Sequence, residues 1–109
     1  MIDLIEQNKP ALIALCRQFG VKRLDLFGSA AKGTFMPGKS DLDFVVEFLD
    51  YGPGITDRLL GFMHAAENLF GVPVDLVSAR KISNPYLRHT INLSRKRLYD
   101  ATEHRQTAA

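Results

Sequence analysis

The run Leu26-Phe27-Gly28-Ser29, followed by Asp41-Leu42-Asp43, constrains this chain more than any other feature. The first part offers a tight turn of small residues. The second projects two carboxylates from one side of an extended segment, because side chains two apart share a face of a strand. Two such anions about 6 Å apart repel by roughly 3 kcal/mol at an effective dielectric of 20. A small domain has little stability to give up, so the pair asks for a divalent cation between its members.

The elements around this feature are read from periodicity and punctuation. Residues 2–19 carry Ile2, Ile5, Leu12, Cys16 and Phe19 at helical spacing. Pro10 is out of place deep in a helix, so a break near Asn8 is expected, with Asn8 capping a second helix. A first strand is expected over 22–28, then a short helical turn and a loop punctuated by Gly33, Pro37 and Gly38. In the second strand, 41–48, Leu42, Phe44, Val46 and Phe48 share the core face. Asp41, Asp43, Val45 and Glu47 share the other. A helix over 55–70 ends at Gly71, and a third strand spans 72–78. Asn84-Pro85 starts a last helix that ends near Ser94, and 97–100 read as a short edge strand. The expected fold class is therefore α+β in two layers: a small mixed sheet backed by helices, its other face left to hold the acids.

Length and composition exclude several classes. At 109 residues the chain reads as one domain over 1–109, with 102–109 as a frayed tail. A net charge of +2, and no aromatic platform on a basic groove, argue against nucleic acid as partner. No apolar run is long enough to span a bilayer, and Met1-Ile2-Asp3 carries acid where a signal peptide needs base. The single Cys16 allows no internal disulfide, so a cytoplasmic location is expected.

Asp75 is a third clue, set among Val74, Leu76 and Val77. An acid within an apolar strand is costly to bury without a partner. If the third strand lies beside the second, Asp75 joins Asp41 and Asp43 in a three-carboxylate cluster. Magnesium prefers such hard oxygen donors together with substrate phosphates, and two ions can serve both the attacking and the leaving oxygen. Gly28 lets backbone approach a phosphate, and Ser29 adds a hydroxyl at a helix start. Lys32 and Lys39 are near enough in sequence to add positive charge. Together these residues point to metal-dependent nucleotide chemistry.

Leu26-Phe27-Gly28-Ser29, the following Ala31-Lys32-Gly33, Ser40-Asp41-Leu42-Asp43 and Val74-Asp75-Leu76-Val77 resemble the minimal nucleotidyltransferase (MNT) family of the DNA polymerase β-like superfamily. Lys32 stands where that family more often has arginine, which keeps the charge and loses the planar fork. The resemblance implies a nucleotidyltransferase fold and transfer of a nucleoside monophosphate, AMP from ATP, to a hydroxyl. It makes Asp41, Asp43 and Asp75 catalytic metal ligands for Mg2+ (two ions, with Mn2+ an alternative), and Asp75 also the base toward the acceptor. Gly28, Ser29 and Lys32 would bind the nucleotide. Short members of the family often pair with a HEPN-domain toxin as its antitoxin, some by transferring AMP to a tyrosine of that partner. The competing function is a binding module that neutralises its partner by masking it.

Other residues carry plainer expectations. Arg88, Arg95, Lys96 and Arg97 read as a solvated helix end favoured by the helix dipole. Cys16 belongs to the core, the three histidines to the surface, and Tyr86 and Tyr99 are expected to pack.

Overall fold

The computed structural model describes residues 3–36 and 38–102, so most of the expected frayed tail lies outside the described residues. Helix α1, Asp3–Gln18, is continuous, and the expected break near Asn8 does not occur. Pro10 lies inside the helix on its exposed side, and the Glu6 carbonyl that loses a partner is exposed with it. A mid-helix proline costs about 3 kcal/mol. Ile5 before it, with Leu12 and Cys16 after it, are buried along one stripe, Ile5 and Leu12 each contributing about 1.5–3 kcal/mol. Packing on both sides of Pro10 therefore outweighs its local cost. Asn8 caps nothing; its Nδ2 donates to the Leu4 carbonyl at 2.8 Å.

The chain continues as β1 (Val21–Phe27), α2 (Ser29–Lys32), β2 (Leu42–Phe48), α3 (Ile55–Phe70), β3 (Val74–Ser78), α4 (Pro85–Asn92) and β4 (Lys96–Asp100). The four strands form one sheet in the order β3-β2-β1-β4. β1 runs antiparallel to both β2 and β4, whereas β2 and β3 are parallel. The parallel pair needs a long crossover, and α3 supplies it. β3 begins two residues later than expected because Pro73 has no N–H for the ladder. The Val74 N–H is satisfied by Glu67 Oε2 of α3 at 3.1 Å.

The alternation of β2 sorts its side chains as expected. Leu42, Phe44, Val46 and Phe48 are buried in the main core with α1 and α3, where the Phe44 and Phe70 rings pack at a centroid distance of 6.3 Å. The other face is not left wholly to acids. Val45 packs with Ile82 and Ile91, flanked by Phe27 and Val77, so α4 and the single 3-10 turn before it (Ala79–Lys81) cover part of that face. Asn84 caps α4 as expected, its Oδ1 accepting from the Tyr86 N–H at 2.9 Å. No helix among the described residues is long and apolar enough to cross a membrane.

Candidate active site

Asp43 stands at the centre of the uncovered end of the second face. Its backbone is paired with Phe27 on β1 and with Asp75 on β3, so the register sets Asp43 and Asp75 side by side on adjacent strands. Asp41 lies just before β2, two residues from Asp43 and exposed. Burial holds the Asp43 carboxyl above the usual carboxylate range, and the charges of Asp75 and then Asp41 push it further the same way. Among the described residues none of the three acids is ion-paired with a lysine, arginine or histidine. Asp25, Glu47, Asp50 and Asp100, by contrast, all lie against arginine. Negative charge is thus concentrated at one end of the sheet without a protein cation to offset it.

The turn after β1 completes this corner. Gly28 adopts φ +74° and ψ −153°, a region that side chains disfavour. A Cβ there would come within 2.4 Å of Asp43 Oδ2. Glycine is therefore demanded by the carboxylate it faces. The Gly28 N–H is engaged as well, donating to Ser94 Oγ at 3.1 Å from just beyond the end of α4. Ser29 opens α2, half-buried, while Ala30 and Ala31 are buried against the sheet. The Thr34 N–H closes the turn on the Ser29 carbonyl at 2.9 Å. Lys32 ends α2 and Lys39 lies in the following loop, both exposed; neither ammonium pairs with an acid of the site.

These carboxylates suit a hard divalent cation. No group of three His, Cys, Asp or Glu side chains among the described residues is arranged closely enough to hold a metal ion. The expected three-carboxylate cluster is therefore not gathered here: Asp43 and Asp75 are paired across β2 and β3, while Asp41 lies outside β2. A cavity of about 160 Å³ beside Tyr51, Ile55 and Leu59 belongs to the other layer, against the core-facing Phe48, and is small beside the ~300 Å³ of ordinary ligand pockets.

Asp75 is exposed, so the cost of burying an acid does not apply to it. Among the described residues the strand acids that do meet that cost are Asp100, 7% exposed at the end of β4, and above all Asp25, 1% exposed and flanked by the core residues Leu24 and Leu26. Arg95 and Arg97 both hydrogen-bond its carboxylate through Nε. Both arginines are exposed, as their clustering suggests, but they hold a buried carboxylate and stand beyond the end of α4 rather than in its last turn. Arg97 also donates to Asp100 at 2.9 Å, and Arg23 joins Asp100 to Glu47 at 3.2 and 3.1 Å. Sequence reasoning missed Asp25 and Ser94. The Leu24-Asp25-Leu26 pattern signals the first, and nothing local signals the second. Tyr99 is buried as expected, but Tyr86 is 82% exposed and does not pack.

Comparison with known proteins agrees with this architecture. The family model for the nucleotidyltransferase domain matches residues 11–99. Two Methanocaldococcus jannaschii proteins, each provisionally named a protein adenylyltransferase, are similar. One is 34% identical over 68% of this chain and 73% of its own length, the other 33% identical over 82% and 85%. A solved structure described as a minimal nucleotidyltransferase superposes with a TM-score of 0.70 at 33% identity, covering 87% of this chain and 95% of that one. The fold also matches, at 21% identity and a TM-score of 0.63, a chain from the Shewanella oneidensis complex of a tri-AMPylated HEPN toxin with its MNT antitoxin, covering 94% of this chain and 77% of that one. A model match across most of the chain, joined to relatives about a third identical over the residues aligned, means that the chain belongs to the nucleotidyltransferase domain family, in the minimal form of that fold.

Proposed function

We propose that this nucleotidyltransferase moves AMP from ATP to a protein hydroxyl, a tyrosine of a HEPN-domain partner, and so acts as that partner's antitoxin. The observation that carries the reading is the pairing of Asp43 with Asp75 across β2 and β3, with Asp43 held toward its protonated form by burial and by its two acidic neighbours. Such a corner gains stability when a bound cation and a phosphate chain arrive together. Asp41, Asp43 and Asp75 are not gathered into a metal site by themselves, but they are the residues that would hold Mg2+ together with phosphate oxygens of the triphosphate, and the ion would supply neutralisation of the charge on the leaving pyrophosphate.

The chain's own groups have separate tasks. The turn at Gly28 and Ser29 receives the phosphate tail, and Lys32, at the end of α2, adds positive charge. Asp75, exposed on its strand, accepts the proton of the acceptor hydroxyl. In the transfer the hydroxyl oxygen bonds to the α-phosphorus, the bond from that phosphorus to the β-phosphate bridge breaks, and pyrophosphate leaves. Protein adenylyltransferase is the name given to the M. jannaschii relatives, and the Shewanella complex holds an AMPylated HEPN toxin; both support this acceptor class.

The test is the intact mass of a HEPN-domain protein from the same genome, incubated with this chain, ATP and magnesium. A gain of one AMP per modified tyrosine is expected, and it should vanish with Asp41→Asn or Asp43→Asn. Transfer that survives both substitutions overturns the assignment. Neutralisation that persists without transfer makes masking, rather than modification, the antitoxin's means.

A further inference from the structure

Helix α4 has two different sides. Ile91 faces the sheet and is buried with Val45 and Ile82, and Ser94, just past the helix end, is bound to the Gly28 N–H. On the opposite side stand Tyr86 and Leu93, the two most exposed large apolar residues among those described, at 82% and 70%. They are seven residues apart, and Leu93 keeps helical φ and ψ (−62°, −28°). They are therefore two turns apart on one face, about 10 Å. Single exposed apolar residues are ordinary. A matched pair on the outward face of the helix that touches the active-site turn needs an account.

The charge carried by the stretch of chain that contains this face is of one sign. Residues 76–99 contain no Asp or Glu, but carry Arg80, Lys81, Arg88, Arg95, Lys96 and Arg97. Arg95 and Arg97 are offset by Asp25 and Asp100, and Arg80 stacks over Tyr51 at 4.3 Å. Lys81, Arg88 and Lys96 are in no ion pair among the described residues; Arg88 donates to the neutral Ile82 carbonyl at 2.7 Å. A surface complementary to this one offers apolar side chains at its centre and acids at its rim. Exposed leucine suits protein better than RNA, whose bases ask for aromatic platforms.

We infer that the outward face of α4, centred on Tyr86 and Leu93, docks the acceptor protein through an acidic surface bearing apolar side chains. This rests on the protein-acceptor reading above. Docking there holds the acceptor one helix thickness, about 10 Å, from the turn that Ser94 anchors. It also presses on the helix whose end fixes Gly28.

The probe is a fluorescent random copolymer of glutamate and tyrosine, compared with a lysine–tyrosine copolymer and with oligo(rA), each titrated with the full chain. The wild type is expected to prefer the acidic copolymer. The double variant Tyr86→Ser/Leu93→Ser, which leaves charge unchanged, should weaken that binding by about tenfold or more, as expected on losing a buried anchor. ATP affinity should be the same in both proteins, showing that the fold and the nucleotide site are intact. A smaller loss, no binding, or a preference for either counter-probe overturns the docking assignment. The transfer reading fails separately, when Asp41→Asn and Asp43→Asn leave AMP labelling intact while docking is unaffected.

Discussion

Gly28 and Asp43 share a space that holds a hydrogen and a carboxylate but not a methyl group: a Cβ on the glycine would meet Asp43 Oδ2 at 2.4 Å. Gly28→Ala must therefore displace the carboxylate or the turn, and it also strains a backbone at φ +74°. The strain alone costs about 1–3 kcal/mol, since φ +74° with ψ −153° is a region that only glycine readily adopts. Displacing a reacting group by about 1 Å costs on the order of 10²-fold in rate. We expect AMP transfer to fall by that factor while the variant still folds, as checked by circular dichroism beside a turnover assay. Ser94→Ala reaches the same turn from the other side. It leaves the Gly28 N–H without its acceptor, for about 1–3 kcal/mol, and should lower transfer without touching any carboxylate.

The acidic corner destabilises the fold that carries it. Because the folded pKa of Asp43 lies above its ordinary value, stability is complete below the ordinary carboxylate pKa and falls as pH rises through the higher folded value. Asp43→Asn removes that loss. The variant should melt at a higher temperature than the wild type at pH 7, with the gap closing as pH is lowered below the ordinary carboxylate value. Magnesium should reverse the ranking. At ten times its dissociation constant an ion that binds only the folded state adds about 1.4 kcal/mol, and the wild type should gain more than the variant. Melting curves with and without magnesium at several pH values check both signs.

The pair of guanidiniums on Asp25 predicts an asymmetry. Arg95→Gln with Arg97→Gln leaves a buried carboxylate without its charged partners, which costs about 3–5 kcal/mol. Asp25→Asn should cost less, since both arginines reach solvent and can hydrate once released. Urea midpoints rank the two. Equal losses would place the value of this network in packing rather than charge.

Cys16 provides a measure of how tightly α1 closes the main core. Burial pushes its thiol up to about 12, so almost no thiolate is present at pH 8. A chromogenic disulfide reagent should leave it unmodified in the native protein and react fully in denaturant. Ready modification in the native state would mean that α1 lifts from the sheet.

Much of this architecture is legible because it depends on local rules. The strict alternation of residues 42–48 sorts β2 between core and site, and Asn84-Pro85 marks the start of α4 through its cap. The acids before and within β2, and the glycine turn, are legible for the same reason: their spacing is short. What escapes local reading depends on partners distant in sequence. Pro10 stays in a helix because residues on both sides of it pack against the sheet. The buried-acid argument points to Asp75 when read locally, but Asp25 and Asp100 are the strand acids that are buried, and the arginines on Asp25 arrive 70 and 72 residues later. Ser94 is 66 residues from the N–H it binds, and no spacing rule connects them.

β3 is five residues long and forms an outer margin of the sheet, with β2 its one partner strand among the described residues. Open margins of this kind recruit stray strands from other molecules, and natural proteins deter this by keeping them short and placing charge on them. Asp75 is the charged side chain on that margin. The residue proposed for proton transfer is thus also the charge on this margin, and neutralising it leaves the open backbone edge of β3 without one.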